Sequence, residues 1–268
     1  MKKLITVSIF GAPNSGKSTF GNSVLNNKVC IVSSKPNTTR DTTLAIYNKG
    51  DTQVVFLDTP GISTKRRKDE MLLTKIAKKT LNSSDFCLFL FDGTKRIPAH
   101  ILEYANSITI PKVALINKVD LVSKGRLLPH VVILKDVFKD IFFGSALHDD
   151  YEDLLEYIID YAKESEWDFP EDMITNRDKN AMINDRTQEA IFELMSDEIP
   201  YNTEVKLVEL YEKQDKSIVI SQEILISRKY KHIFLGLIKK LSIKSRLNLE
   251  KALKTKVHLF INLKYLKV

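Results

Sequence analysis

Short apolar runs alternate with polar, helically periodic stretches along the first part of the chain. The apolar runs lie at Leu4–Phe10, Val54–Asp58, Phe86–Asp92, Lys112–Asn117 and Ile141–Gly144. Between them, Lys68–Leu81, Ile97–Ile108, Leu127–Phe138 and Tyr151–Lys163 repeat their apolar positions with a helical period. Strands alternating with helices predict a mainly parallel sheet covered on both faces. One pair, Thr42–Asn48 and Thr52–Asp58, is joined by Asn48-Lys49-Gly50-Asp51 and predicts a hairpin, which makes one strand antiparallel. The expectation is a six-stranded, mainly parallel sheet with helices on both faces, over residues 1–165.

The pattern then changes. The stretch ESEWDFPEDMITNRDK (Glu164–Lys179) is polar, holds Pro170 and has no period, so a linker is expected over 166–180. Beyond it a helix is predicted over about Asn184–Glu198, stopped by Pro200. Alternating strands follow at Glu204–Glu212 and Ser217–Ser227, then two helical stretches at Lys231–Lys240 and Ile243–Leu253, and a last strand at Val257–Leu263. The order α-β-β-α-α-β describes a small α+β domain over 181–268.

Composition narrows the class. The 268 residues are 43% hydrophobic, enough for two ordinary cores. Cys30 and Cys87 are too few for a disulfide framework and sit in apolar stretches, so buried free thiols are expected. The lysines of MKKLITVSIFGAP precede an apolar run, as in a signal peptide. That run is short, contains Thr6 and Ser8, and leads into a glycine motif, so a buried first strand is expected instead. The longest uncharged apolar run, Phe86–Phe91, is too short to span a bilayer. The net charge of +7 is unevenly placed. Residues 228–268 hold twelve Lys/Arg and one acid, Glu250, whereas the first 227 hold 29 basic and 33 acidic residues. The basic character is local, and a local basic strip points either to a polyanion partner or to a merely solvated face.

The motifs carry the chemistry. GAPNSGKS (Gly11–Ser18) matches G-x-x-x-x-G-K-S/T between a strand and a helical pattern. Gly11 and Gly16 let backbone N–H groups converge on phosphate, with Asn14, Ser15 and Thr19 completing the loop and helix start. Lys17 supplies a cation to the β- and γ-phosphates, and the Ser18 hydroxyl a Mg²⁺ ligand. In Asp58-Thr59-Pro60-Gly61 the carboxylate serves the Mg²⁺ shell and the Gly61 N–H faces the γ-phosphate. In Asn117-Lys118-Val119-Asp120 the Asp120 carboxylate can take paired hydrogen bonds from guanine N1–H and N2–H₂, a pair that adenine lacks. Ser145-Ala146-Leu147 can offer a backbone N–H to guanine O6. Thr38-Thr39-Arg40-Asp41 lies where a loop can close over the γ-phosphate, or serve only as a strand cap. Ile62 follows the second motif, so no glutamine there orients water, and slow intrinsic turnover is expected.

Taken in order, GxxxxGKS, TTRD, DTPG, NKVD and SAL resemble the translation-factor-type GTPases. DRTQEAIFELMSDEIPY (Asp185–Tyr201) with the α-β-β-α-α-β tail is similar to the Era family of bacterial ribosome-assembly GTPases, which carry a C-terminal type II KH domain. The resemblance covers nearly the whole chain. It implies GTP and GDP as ligands, Mg²⁺ held by Ser18, Thr39 and Asp58, and K⁺ bound beside Asn14 as a fixed charge in place of an arginine finger. It also implies binding to small-subunit ribosomal RNA near its 3′ end, with release from the assembling subunit on hydrolysis. A monomeric, cytoplasmic protein is expected, with peripheral contact at the inner membrane as a further location. The alternatives left open are an RNA binder with negligible hydrolysis, a degenerate KH domain acting as an electrostatic or protein-binding anchor, and a GTPase of tRNA modification or membrane attachment.

One departure from the family pattern is plain. A KH domain clamps nucleotides with a GXXG loop between two helices. The matching stretch here, HIFLGLIKKLSIKSR, has one glycine, Gly236. The charge remains in Arg228, Lys229, Lys231, Lys239, Lys240, Lys244 and Arg246, the candidate RNA contacts. Binding through these residues would lean on phosphates, and the sequence leaves open whether bases are still read.

Overall fold

In the computed structural model, residues 1–27, 29, 43–58, 83–148, 151–196 and 198–265 are described. The helix expected at 68–81, the loop motif at 38–41, Gly61, Ile62 and Cys30 lie outside them. The chain divides after Asn176 into two units, each with its own core.

In the first unit the central strand is β1 (Lys3–Gly11), the segment with two N-terminal lysines. It is flanked in parallel by β3 (Thr52–Asp58) and β4 (Phe86–Asp92). β5 (Lys112–Asn117) and β6 (Ile141–Gly144) continue the parallel sheet outward. β2 (Thr43–Lys49) closes the other side as the antiparallel arm of the expected hairpin, with Gly50 at φ 58° in its turn. The order is β2-β3-β1-β4-β5-β6, and a seventh strand not foreseen, the two-residue β7 (Lys163–Glu164), pairs antiparallel with the start of β1.

Strand side chains alternate between two apolar layers, as the pleat requires. Ile5, Val7, Ile9, Leu88, Leu90 and Leu115 pack under α1 (Lys17–Val24) and α4 (Glu152–Ile159). Cys87, Phe89, Phe91, Ala114 and Ile116 pack under α2 (Ala99–Ser107) and α3 (Lys124–Leu134). Burial pushes the Cys87 thiol up to about 12, so it behaves as a small apolar side chain.

The polar stretch after β7 is strapped onto the β2–β3 hairpin. Trp167 Nε1 donates to Asp51 O at 3.0 Å, and Gln53, fully buried, exchanges two hydrogen bonds with the Phe169 backbone at 3.0 and 3.1 Å. Asn48 Nδ2 donates to Glu171 O at 2.8 Å, Ile46 N to Ile174 O at 2.9 Å and Leu44 N to Asn176 Oδ1 at 2.9 Å. Polar residues here satisfy the open edge of β2.

The second unit has a three-stranded sheet ordered β10-β9-β8, from β8 (Glu204–Glu212), β9 (Ile218–Ile226) and β10 (Val257–Tyr265). β8 is antiparallel to β9 and β10 parallel to it. Helix α5 runs over Lys179–Leu194, starting five residues before the expected position because Asp178 caps it, accepting from Ala181 N at 2.7 Å. The Glu198–Tyr201 end of the DEIPY motif has a packing role: Ile199 enters the core, Tyr201 meets Phe192 edge-on at 5.2 Å, and Gln188 donates to Pro200 O at 2.9 Å.

The expectation of two helices after β9 is corrected. A single helix, α6, spans Lys231–Leu253 without interruption. Leu241 is fully buried at the supposed junction, and Phe234, Ser245 and Leu249 continue the same buried stripe. With no glycine or proline between Lys240 and Ile243, nothing stops the i to i+4 ladder. No described helix is long and apolar enough to cross a membrane.

Candidate functional site

The site of the first unit is built at the carboxyl ends of β1, β3, β4 and β5. The loop from Gly11 to Gly16 joins β1 to α1 and folds back on itself through Ser15 N to Ala12 O at 3.2 Å. Its shape depends on both glycines. Gly16 has φ 100°, and a Cβ there would run into the Asn117 side chain; a Cβ at Gly11 would collide with the Leu90 carbonyl and lie 2.7 Å from Ser15 Oγ. Asn14, at φ 64°, takes the left-handed turn that asparagine tolerates. Ser15 Oγ is buried with no hydrogen-bond partner among the described residues.

Lys17 is buried, and its ammonium donates to Gly11 O at 3.2 Å and Ala12 O at 3.0 Å. Burial pushes it down to about 8, against the pull of Asp58. Next to it Ser18 Oγ donates to Asp58 Oδ2 at 2.8 Å, which joins the first turn of α1 to the end of β3. Thr19 lies half-buried on the same turn. The hydroxyl and the carboxylate are hard oxygen donors side by side, the donor chemistry that suits Mg²⁺.

Asn117 is the hub between this loop and the base-side motifs. Its Nδ2 donates to Ser15 O at 2.8 Å, and its Oδ1 accepts from Lys118 N, Ala146 N and Tyr151 Oη at 2.8, 2.9 and 3.2 Å. Within Ser145-Ala146-Leu147, the stretch expected to offer a backbone N–H to a base, the Ala146 N–H is held by Asn117. Ser145 is buried beside it. Lys118, left-handed at φ 63°, sends its ammonium back to Asn14 O and Asp92 Oδ2, both at 2.7 Å. Asp120 follows in a 3₁₀ turn with its carboxylate partly exposed; among the described residues its ion-pair neighbour is His148, at 4.0 Å.

Asp92 and Tyr151 were not foreseen. Burial raises the Asp92 carboxyl, but the hydrogen bonds from Lys118 and from the Thr94 hydroxyl and N–H outweigh it and hold the group below the usual carboxylate range. A signal did exist: β3, β4 and β5 are apolar runs that each end in Asp or Asn, at Asp58, Asp92 and Asn117. Side chains at the carboxyl ends of parallel strands line the crevice where ligands bind. Tyr151 carried no such signal.

In the second unit the structure sorts the basic candidates. Lys244 forms an ion pair with Glu193 of α5 at 2.7 Å, so its charge is locally compensated. Lys229 lies over the Tyr230 ring at 4.7 Å and Lys231 over Tyr265 at 5.9 Å. Arg228 opens a 3₁₀ turn before α6. Lys239, Lys240 and Arg246 are exposed on α6 and pair with no described acid.

The comparisons agree with this geometry. The family described as 50S ribosome-binding GTPase matches residues 6–118. GTPase Era of Geobacter sp. (strain M21) is 34% identical over 264 residues, covering 94% of this chain and 89% of its own length. The structure of Era in complex with MgGDPNP and nucleotides 1506–1542 of 16S ribosomal RNA superposes with a TM-score of 0.85 at 30% identity, covering 99% of this chain and 94% of that one. Aquifex aeolicus Era bound to GDP·AlF4⁻ gives a TM-score of 0.85 at 31% identity, covering 98% and 94%. With the phosphate loop, the two units and the likeness extending over nearly the full length, the chain belongs to the Era family of GTPases.

Proposed function

We propose that this chain binds and hydrolyses GTP as a switch in small-ribosomal-subunit assembly, holding small-subunit ribosomal RNA near its 3′ end and letting go on hydrolysis. The observation that carries the nucleotide half is the Asn117 hub, which ties the phosphate loop to the Lys118–Asp120 turn and so fixes the distance between phosphate and base sites. The RNA half rests on the relative solved with 16S ribosomal RNA and on the basic strip after Arg228.

In this reading Gly11, Asn14, Ser15, Gly16 and Thr19 cradle the phosphates with backbone N–H groups and short hydroxyls, and Gly61 adds an N–H from outside the described residues. Lys17 is held beside the loop carbonyls and turns to the β- and γ-phosphates, whose charge restores its proton affinity. Ser18 and Asp58 would hold Mg²⁺, with Thr39 joining them; when bound, the ion neutralises charge developing on the transferred phosphoryl group. Asn117 and Lys118 position Asp120, whose carboxylate takes the two guanine N–H donors, with Ser145 and Ala146 walling the base site. A K⁺ ion held beside Asn14 would supply a fixed positive charge next to the phosphates, and Ile62 offers no side chain to orient the attacking water. The protein acts as a cytoplasmic monomer. Its peripheral membrane contact would use Ile243 and Leu247, exposed among lysines on α6, and co-sedimentation with anionic liposomes at physiological salt checks it.

The test is GTP turnover by the purified protein with Na⁺ or K⁺, with and without small-subunit particles. Turnover that rises with K⁺ and with particles is expected. Turnover unmoved by both, or ATP bound as well as GTP, overturns the reading.

A further inference from the structure

Three donors hold the oxygen side of the Asn117 amide, and one of them comes from outside the nucleotide motifs. Lys118 N and Ala146 N, at 2.8 and 2.9 Å, are backbone groups of the base-side turns. The third is the Tyr151 hydroxyl, at 3.2 Å, which arrives from the residue that precedes α4. Among the described residues it is the one side-chain donor to Asn117 Oδ1. Tyr151 is buried, at 6% exposure, and its backbone is left-handed, at φ 60°. That conformation is unfavourable for a bulky side chain, and it persists only where surrounding contacts over-determine it.

The ring makes one of those contacts. It meets Phe20 edge-on at 4.9 Å, and Phe20 in turn meets Phe56 edge-on at 5.6 Å. Phe20 lies on α1 two residues after Ser18, and Phe56 on β3 two residues before Asp58. The ring is thus packed against the helix that carries Lys17 and Ser18, while its hydroxyl reaches the hub. On the far side of the amide, Asn117 Nδ2 donates to Ser15 O at 2.8 Å. It lies so close to Gly16 that a Cβ there would fall 2.1 Å from it. A tilt of the amide must therefore move the Ser15–Gly16 backbone, whose N–H groups belong to the phosphate cradle. The Tyr151 hydroxyl opposes that tilt from a rigid, aromatic base.

We infer that Tyr151 is a positioning residue for the nucleotide: by fixing the Asn117 amide against the phosphate loop, it slows the release of GDP and GTP alike. This rests on the GTP-binding reading of the site and adds a determinant of how long nucleotide stays bound. Tyr151 acts through Asn117, and the choice of guanine stays with Asp120.

The test is stopped-flow release of fluorescently labelled GDP, and of a labelled non-hydrolysable GTP analogue, from the full chain with Mg²⁺. Wild type is compared with Tyr151→Phe and Tyr157→Phe. Tyr151→Phe removes the hydroxyl and keeps the ring against Phe20. Loss of one neutral buried hydrogen bond should speed release of both nucleotides about two- to tenfold, with the association rate and the preference for GTP over ATP unchanged. Tyr157→Phe removes a hydroxyl from the same helix that donates to Asp140 Oδ2 at 2.6 Å, away from the hub. It should lower the melting temperature and leave release unchanged. Release from Tyr151→Phe at the wild-type rate overturns the inference. Equal acceleration by Tyr157→Phe overturns it too, because the effect is then a general loosening of α4. A changed preference for GTP over ATP in Tyr151→Phe does the same, by placing Tyr151 at the base. If the wild-type protein binds neither nucleotide, the GTP reading itself fails and this inference falls with it.

Discussion

Lys17 and Asp92 show how the same burial produces opposite outcomes. Among the described residues Lys17 has carbonyl acceptors and the nearby Asp58, so desolvation wins and its proton is held weakly. Asp92 receives Lys118 and Thr94, so charge and hydrogen bonds win and its carboxylate is held strongly. A depressed carboxyl stabilises the fold above its unfolded pKa, about 3.9, and that stability is lost as pH falls through the folded value. Asp92→Asn should therefore weaken GTP binding by loosening Lys118 and flatten the acid limb of the stability profile; denaturant melts between about pH 2 and 5 check it. Asp120→Ala should lower GTP affinity about 10²-fold, because two charge-assisted bonds of roughly 1.5 kcal/mol each disappear, and should erase discrimination against ATP. Isothermal titration with both nucleotides measures this.

Elements here are decided by what covers them. The strap over 166–176 is polar and aperiodic, features that predict a free linker, yet its backbone is hydrogen-bonded to the β2–β3 hairpin through Asn48 and Gln53. Gln53→Leu would leave the Phe169 N–H and C=O without their partner, at a cost of about 1–3 kcal/mol, and should speed proteolysis within the strap. Helix α6 is the opposite case. Its sequence has a weak point at Gly236 but no break, and its continuity is held by Phe234, Leu241 and Leu249, all fully buried. Leu241→Ala should destabilise the second unit by about 2–5 kcal/mol, whereas Gly236→Ala, with open space around its Cβ, should stabilise it by roughly 0.5–1 kcal/mol. Both are read from thermal melts.

At the scale of the whole molecule, two units with separate cores divide the chemistry, one of them housing the phosphate loop and the other the basic strip. Calorimetry should resolve two transitions. Mg²⁺ and GTP analogue at about a hundred times Kd should stabilise the first by roughly 2.7 kcal/mol and leave the second in place. A single transition shifted as one by nucleotide would show that the units unfold together.

The sequence by itself determined the inner strands of the first unit, because Phe86–Asp92 and Lys112–Asn117 are apolar on both faces and can be satisfied only inside a covered sheet. It also made legible the Gly11–Ser18 loop and the Asn117–Asp120 turn, whose pattern is local: consecutive residues supply the glycines, the cation and the carboxylate. Tertiary structure alone decided the rest. Asp92 joins the site because β4 lies beside β5 and brings it within reach of Lys118, 26 positions later in the chain. Glu193 compensates Lys244 because α5 packs against α6. The strap is ordered by the open edge of β2, and α6 is continuous because the core buries Leu241 where a loop was expected. In each case the deciding energy is a contact between residues distant in sequence, which no local pattern of residues records.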